Sequence, residues 1–307
     1  MERVKKNVHL ERVYNRGYFG KNVTVAIMDT GMAPHPDLQN QIVAFHDFTA
    51  KKNSIYDDNG HGTHVAGIIA GTGVVSKMKY GRCRYSGIAP EANLVILKVL
   101  DANGNGETNR VLKSFDWIIK NKDVYQIKIL NISVGMLATA GEIEKRALLT
   151  GVEALWDYGI MVVAAAGNNG PEENSVTIPG ISRKILTVGC SDDENLVRIG
   201  KKRKKGYSGV GPTDCCVVKP EVLAPGTEII SCSTQNSYIQ KSGTSMAAPV
   251  VSGVLALAYQ KYSEFMPWEM KLRIYESAFP RGEQLQKKCW GMIHGDNLLG
   301  YTDFNTK

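Results

Sequence analysis

Residues 23–31 read VTVAIMDTG. The run VTVAIM is apolar on both faces, as a strand buried inside a parallel sheet requires. Asp29 follows at once and precedes Thr30-Gly31, so its carboxylate is expected at the carboxyl end of that strand. In an open parallel sheet this rim is where ligands and chemistry gather. Four more runs have the same character: LVILKV (94–99), ILNIS (129–133), MVVAAA (161–166) and ILTVG (185–189). Helical patterns lie between and after them, at about 63–72, 107–120, 142–158 and 244–262. That alternation predicts an α/β fold, doubly wound, with a mostly parallel central sheet and helices on both faces.

Nothing in the sequence divides the chain: there is no repeat, low-complexity stretch or Pro/Ser-rich linker. The expected organisation is a short N-terminal arm, 1–12, and a single domain, 13–307. Lysines and arginines number 37 against 30 aspartates and glutamates, a net charge of +7 that an ordinary enzyme carries, and no nucleic-acid partner is expected. The longest apolar runs, IMVVAAA (160–166) and VLALAY (254–259), fall far short of the ~20 residues that span a bilayer, so no membrane role is expected. Two basic inserts, 76–87 and 198–209, read as solvated loops. Six cysteines show no CxxC spacing, and Cys215 and Cys216 are adjacent, which suits thiols in a reducing compartment. A cytoplasmic location follows, or a secreted one for a domain trimmed from a longer chain.

Two further segments carry reactive side chains. In DDNGHGTHVAGIIAG (57–71), His61 and His64 open a helix of small residues. A zinc-protease reading fails, because no glutamate follows the first histidine and the histidines are three apart rather than four. A histidine at a helix start can instead present its imidazole to the crevice as a general base, with His64 turned into the helix packing. In SGTSMAAP (242–249), Ser245 opens another helix, where free N–H groups favour a developing negative charge. Thr244 can equally be a plain cap, and Pro249 is expected within the first turn. Singly, Asp29, His61 and Ser245 each have an ordinary structural explanation. Together and in this order, they supply an orienting acid, a base and a nucleophile.

DTG (29–31), HGTHVAG (61–67) and GTSMAAP (243–249) resemble the three signature segments of subtilisin-like serine proteases. The likeness runs from about Val13 to about Gly300, through YNRGYFGKNVTVAIMDTG, GIAPEANLVILKVL, VVAAAGNNG and KPEVLAPG. It implies a serine endopeptidase in which Ser245 attacks the scissile carbonyl, His61 carries the proton and Asp29 orients the imidazole. Asn168 matches the family's oxyanion donor. The resemblance also implies a protein or peptide substrate held as an extended strand between Ser133-Val134-Gly135 and Gly104-Asn105-Gly106. The primary specificity pocket falls among Ser133 to Met136, Ala164 to Asn168 (with Ala166 and Gly167) and Thr177. Met136 replaces a residue that is often glycine in relatives, which would narrow that pocket.

No cofactor is implied for the chemistry. Asp37, in HPDL (35–38), matches a ligand of a stabilising calcium in secreted relatives, but the facing insert carries Lys77, Lys79, Arg82 and Arg84. A cationic loop is a poor neighbour for calcium, so structural calcium there is not expected. The family's long inhibitory pro-segment has no counterpart in the sequence, and residues 1–10 are a candidate for lying in the cleft instead. The rival expectation, a peptide-binding protein without activity, would require a missing member of the catalytic set. Oligomeric state is not set by the sequence.

Overall fold

In the computed structural model, which describes residues 1–50, 52–135, 141–213, 218–280 and 289–301, the opening run is strand β1 (Thr24–Asp29), buried throughout. The strands continue as β2 (Ile42–Asp47), β3 (Asn93–Lys98), β4 (Ile127–Ile132), β5 (Met161–Ala165), β6 (Leu186–Cys190), β7 (Val197–Ile199), β8 (Lys202–Lys204), β9 (Val222–Ala224), β10 (Ile229–Cys232), β11 (Tyr238–Lys241) and β12 (Gly291–Met292). Among the described residues, eight of these form one parallel sheet in the order β12-β9-β6-β5-β4-β1-β3-β2. The winding reverses at β1, which has β3 on one side and β4 on the other. A crevice opens at such a switch point, beyond the carboxyl ends of the strands, and Asp29 is the last residue of β1.

The helices are α1 (Glu2–Asn7), α2 (Glu11–Asn15), α3 (His61–Ala70), α4 (Val74–Tyr80), α5 (Thr108–Tyr125), α6 (Glu142–Asp157), α7 (Thr244–Lys261), α8 (Pro267–Ser277) and α9 (Gly295–Leu298). Helices α3 and α7 pack on each other and on the sheet, and α5 and α6 form a second layer against β4 and β5. Residues Met246 to Tyr259 of α7 are all buried, which explains why its sequence is apolar all round. Pro249 is a correction. It is the sixth residue of α7, in the second turn, so the carbonyl of Ser245 lacks the N–H donor that a helix normally supplies from four residues on.

The first residues also depart from expectation. Met1, Val4, Val8 and Leu10 join the same buried cluster as the sheet. Arg3 binds Asp192 (2.8 Å) and the Thr227 carbonyl, Gly295 donates to the Val8 carbonyl (2.8 Å), and His9 stacks on His294 at 4.0 Å. The segment is therefore seated on the body of the fold and does not occupy the cleft. The two basic inserts are more ordered than loops. Residues 74–80 form α4, and 197–204 form the antiparallel β7-β8 hairpin.

A single carboxylate ties the switch point together. Asp57 Oδ1 accepts from Thr30 Oγ1 (2.8 Å), Asn59 N (3.1 Å) and Gly60 N (2.8 Å); Oδ2 accepts from Thr63 N (2.9 Å) and Thr63 Oγ1 (2.6 Å). Burial opposes its ionisation, but these donors outweigh burial and hold its carboxyl below the usual range. The turn after β1 and the first turn of α3 are thereby clamped to one another. Gly62 completes the contact, since a Cβ there would lie 2.0 Å from the Gly31 carbonyl oxygen.

Two predictions follow from this framework. Asp57→Asn replaces an acceptor oxygen by a donor and strands buried partners, so urea denaturation should report a loss of about 2–4 kcal/mol; an unchanged midpoint would mean the clamp is not structural. The second concerns acid. Burial pushes His64 down to about 3, and burial with the neighbouring His9 takes His294 to about 4, both from an ordinary 6.5. Below pH 6.5 the unfolded chain takes up protons that the folded chain refuses, so stability falls as pH drops, for His294 down to about 4. His294→Asn keeps an acceptor at the start of α9 and should make the fall of the urea midpoint through that window shallower.

Candidate active site

At the carboxyl end of β1, Asp29 is fully buried, and its Oδ1 contacts His61 Nδ1 at 2.7 Å. The same oxygen accepts the Thr30 N–H (2.8 Å), so it faces the ring as an acceptor and Nδ1 must be the donor. That fixes the neutral tautomer, in which Nε2 keeps its lone pair. His61 is the first residue of α3, following Gly60 at φ 88°, so the imidazole leaves the helix at its open end. His64, one turn further on, is fully buried with Nε2 3.1 Å from the carbonyls of Ile229 and Ile239. The two histidines therefore separate into an accessible one and a packed one.

Ser245 is the second residue of α7, at a point where Gly243 gives the chain φ 146°. It lines one cleft of about 600 Å³ together with His61 and Asn168. Asn168 follows β5, and its Oδ1 accepts from Thr244 N (3.0 Å) and Thr244 Oγ1 (3.2 Å). Because a backbone N–H can only donate, the amide orientation is fixed, and its NH₂ is left for the cleft. Thr244 Oγ1 in turn accepts the Gly167 N–H (3.1 Å). The start of α7 and the strand end that carries Asn168 are thus bonded directly.

The segments expected to hold substrate are partly brought together. Thr177 wedges between two of them: a Cβ built on Gly135 or Gly167 would come within 2.3 or 2.5 Å of its side chain. Its N–H binds the buried Ala166 carbonyl (2.9 Å), and Ser133 Oγ accepts from Asn131 Nδ2 (2.8 Å). Val134 packs on the core. Gly104, Asn105 and Gly106 form an exposed turn closed by Asp101, and Asn59 Nδ2 ties it to the loop before His61 through the Ala102 carbonyl (3.0 Å). Met136 lies outside the described residues.

Sequence reading did not single out Asp57, Lys98, Lys204 or Lys241. Lys98 is a lone cation in an apolar run, which is itself a signal, since a buried lysine must find partners. Its Nζ binds the carbonyls of Thr30 (2.6 Å) and Leu100 (2.8 Å) and the Asp58 carboxylate (2.7 Å). Lys241 donates to the Gly60 carbonyl (3.0 Å); burial lowers its pKa, although Asp29 and Asp57 oppose that. No local pattern marks Lys204, whose Nζ reaches the Asn168 carbonyl (2.8 Å) from the β7-β8 hairpin.

Asp37 does not suit calcium. Its Oδ1 accepts Val75 N (2.9 Å) and its Oδ2 accepts Tyr238 Oη (2.7 Å), so both oxygens already serve protein donors at the start of α4. The groups around it, His35 and Cys232, are not the oxygen ligands calcium takes. The His35 ring is engaged at both nitrogens, with Asp37 N (3.1 Å) and the Ser237 carbonyl (3.1 Å).

Comparison with known proteins identifies the family and the fold. The model of the subtilase family matches residues 20–301. Serine protease AprX of Bacillus subtilis (strain 168) is 40% identical over 283 residues, covering 86% of this chain and 63% of its own. A thermostable alkaline protease of Halalkalibacterium halodurans is 34% identical over 271 residues, covering 88% and 66%. The chain thus spans just under two thirds of the length of these two relatives. Among solved structures, sphericase superimposes with a TM-score of 0.72 at 28% identity, covering 88% of each chain. With a family match across nearly the whole chain, and a solved relative of the same architecture, the chain belongs to the subtilase family.

Proposed function

We propose that the protein is a serine endopeptidase that hydrolyses peptide bonds through an acyl-enzyme intermediate. The observation that carries this reading is the 2.7 Å contact between buried Asp29 and His61 Nδ1, with Ser245 lining the same cleft. Ser245 Oγ attacks the scissile carbonyl carbon while His61 Nε2 takes its proton. The carbonyl oxygen becomes an oxyanion, which the Asn168 NH₂ and the N-terminal end of α7 stabilise. Collapse breaks the C–N bond, and His61 returns the proton to the leaving amine. Water, deprotonated by the same ring, then attacks the ester carbonyl carbon; the acyl C–O bond breaks, the ring returns the proton to Ser245 Oγ, and the carboxylic acid product leaves. Asp29 stabilises the imidazolium in both halves, and its second oxygen, buried and without a donor among the described residues, leaves negative charge beside the ring for that purpose.

The substrate is an extended peptide segment paired to Ser133-Val134-Gly135 and Gly104-Asn105-Gly106, with the residue before the scissile bond in the pocket beside Thr177. No cofactor takes part in these steps. We place the protein in a reducing compartment, in keeping with the thiols of Cys83, Cys190 and Cys232.

Ser245→Ala should abolish both hydrolysis of casein and labelling by a fluorophosphonate probe; labelling that survives the substitution would overturn the assignment of the nucleophile. Asn168→Ala should keep the labelling while kcat falls about 10²–10³-fold, the loss known in subtilisin for removing one such donor. An equal rise in KM instead would make Asn168 a substrate contact, not an oxyanion donor.

A further inference from the structure

One wall of the catalytic cleft is not accounted for by the chemistry. It is formed by the β7-β8 hairpin, whose Arg198 and Arg203 line the same space as His61, Asn168 and Ser245. In the hairpin register these two residues stand directly opposite each other, so both side chains project from one face. Like charges in that position repel and weaken a hairpin. Both are exposed, and neither is paired with an acidic side chain among the described residues. The Nε of Arg198 donates to the Gly200 carbonyl (3.1 Å), which anchors that side chain to the hairpin turn.

The hairpin is firmly mounted beside the reacting atoms. Val197 is buried against Cys190 and Tyr207, and Lys204 holds the Asn168 carbonyl. Two other charged groups line this space. Lys241 is committed to the Gly60 carbonyl, and Glu228 is the one acid that lines the space among the described residues. Three cations against one anion leave the wall net positive, with the arginine pair as its uncompensated part.

Which half of a substrate meets this wall follows from what is missing there. None of Ser133, Val134, Gly135, Gly104, Asn105, Gly106 or Thr177 lines it. Those residues hold the acyl half in the proposed mechanism, so the hairpin faces the leaving-group half. We infer that Arg198 and Arg203 form a subsite for acidic side chains in the residues that follow the scissile bond. A carboxylate between the two guanidiniums would replace their repulsion by charge-assisted hydrogen bonds. The inference rests on the proposed peptidase activity and adds a substrate preference to it.

The test uses three peptides that differ only in carrying Glu, Gln or Lys at the second and third positions after the cleavage site. For the wild-type protein at low salt, kcat/KM should fall in the order Glu, Gln, Lys, with about a tenfold span, and the span should shrink at high salt. The double variant Arg198→Glu/Arg203→Glu should reverse the order. Because rates are compared within one preparation, partial misfolding of the variant does not alter the ratio. Equal rates in the wild type, or the same preference in the reversed variant, would overturn the subsite. If the protein cleaves none of the peptides, hydrolyses no casein and takes up no fluorophosphonate, the peptidase reading itself fails; if only the peptides resist, that reading stands. The subsite is then read by fluorescence anisotropy on Ser245→Ala: tighter binding of the Glu peptide supports it, and equal affinities refute it.

Discussion

The Asp57 carboxylate, bonded to Thr30 on one side and to Asn59, Gly60 and Thr63 on the other, is the contact from which the rest of the site is built. It joins the end of a buried strand to the start of a buried helix. Asp29 and His61 belong to separate elements, and the Asp57 clamp adds to the bonds from Gly62 N to Thr30 Oγ1 (2.9 Å) and from Ala33 N to Thr63 Oγ1 (2.9 Å) in fixing their relative position. The 2.7 Å contact between Asp29 and His61 is sensitive to small slips, because a hydrogen bond weakens as its distance and angle depart from the preferred range. Lys98 strengthens the same region from inside the sheet by holding the Thr30 carbonyl, and it neutralises Asp58 at the rim.

A second joint has the same logic on the far side of the cleft. Thr244 binds the Asn168 side chain and the Gly167 N–H, so the helix that carries Ser245 and the loop that carries the amide donor are one hydrogen-bonded unit. The two joints involve charged and neutral acceptors respectively, yet both satisfy backbone groups at helix starts, where four N–H donors lack helical partners. Helix ends are thus used twice, once to fix the His61 imidazole and once to fix the Asn168 amide beside Ser245.

Much of this was legible in the sequence. VTVAIM, LVILKV and MVVAAA are short, β-branched and apolar on both faces, as buried parallel strands are, and that reading put Asp29 at the carboxyl rim of the sheet. Other elements left no such trace. β9 and β12 pair over three and two residues, too short for any periodicity, and β2 is an edge strand exposed at Val43 and His46. The role of Asp57 was hidden because an acid before a helix is so common that its several partners, some distant in sequence, could not be guessed. The basic stretch 198–205 reads as solvated charge, and nothing local reveals that folding it into a hairpin brings Arg198 and Arg203 to the cleft. The N-terminal residues alternate charge with isolated apolar groups, a pattern too sparse to show that Met1, Val4, Val8 and Leu10 enter the core.

The proline in α7 has a mechanical consequence. A helix transmits displacement along its length through the ladder of bonds between successive turns, and the rung from residue 249 to Ser245 is missing. The buried cylinder beyond it, seated among the sheet and α3, is a stiff anchor; the turn ahead of it takes its alignment sideways, from the Asn168 loop. The turn that carries Ser245 is therefore held from two directions, by the helix behind it and, through Thr244, by the Asn168 loop beside it.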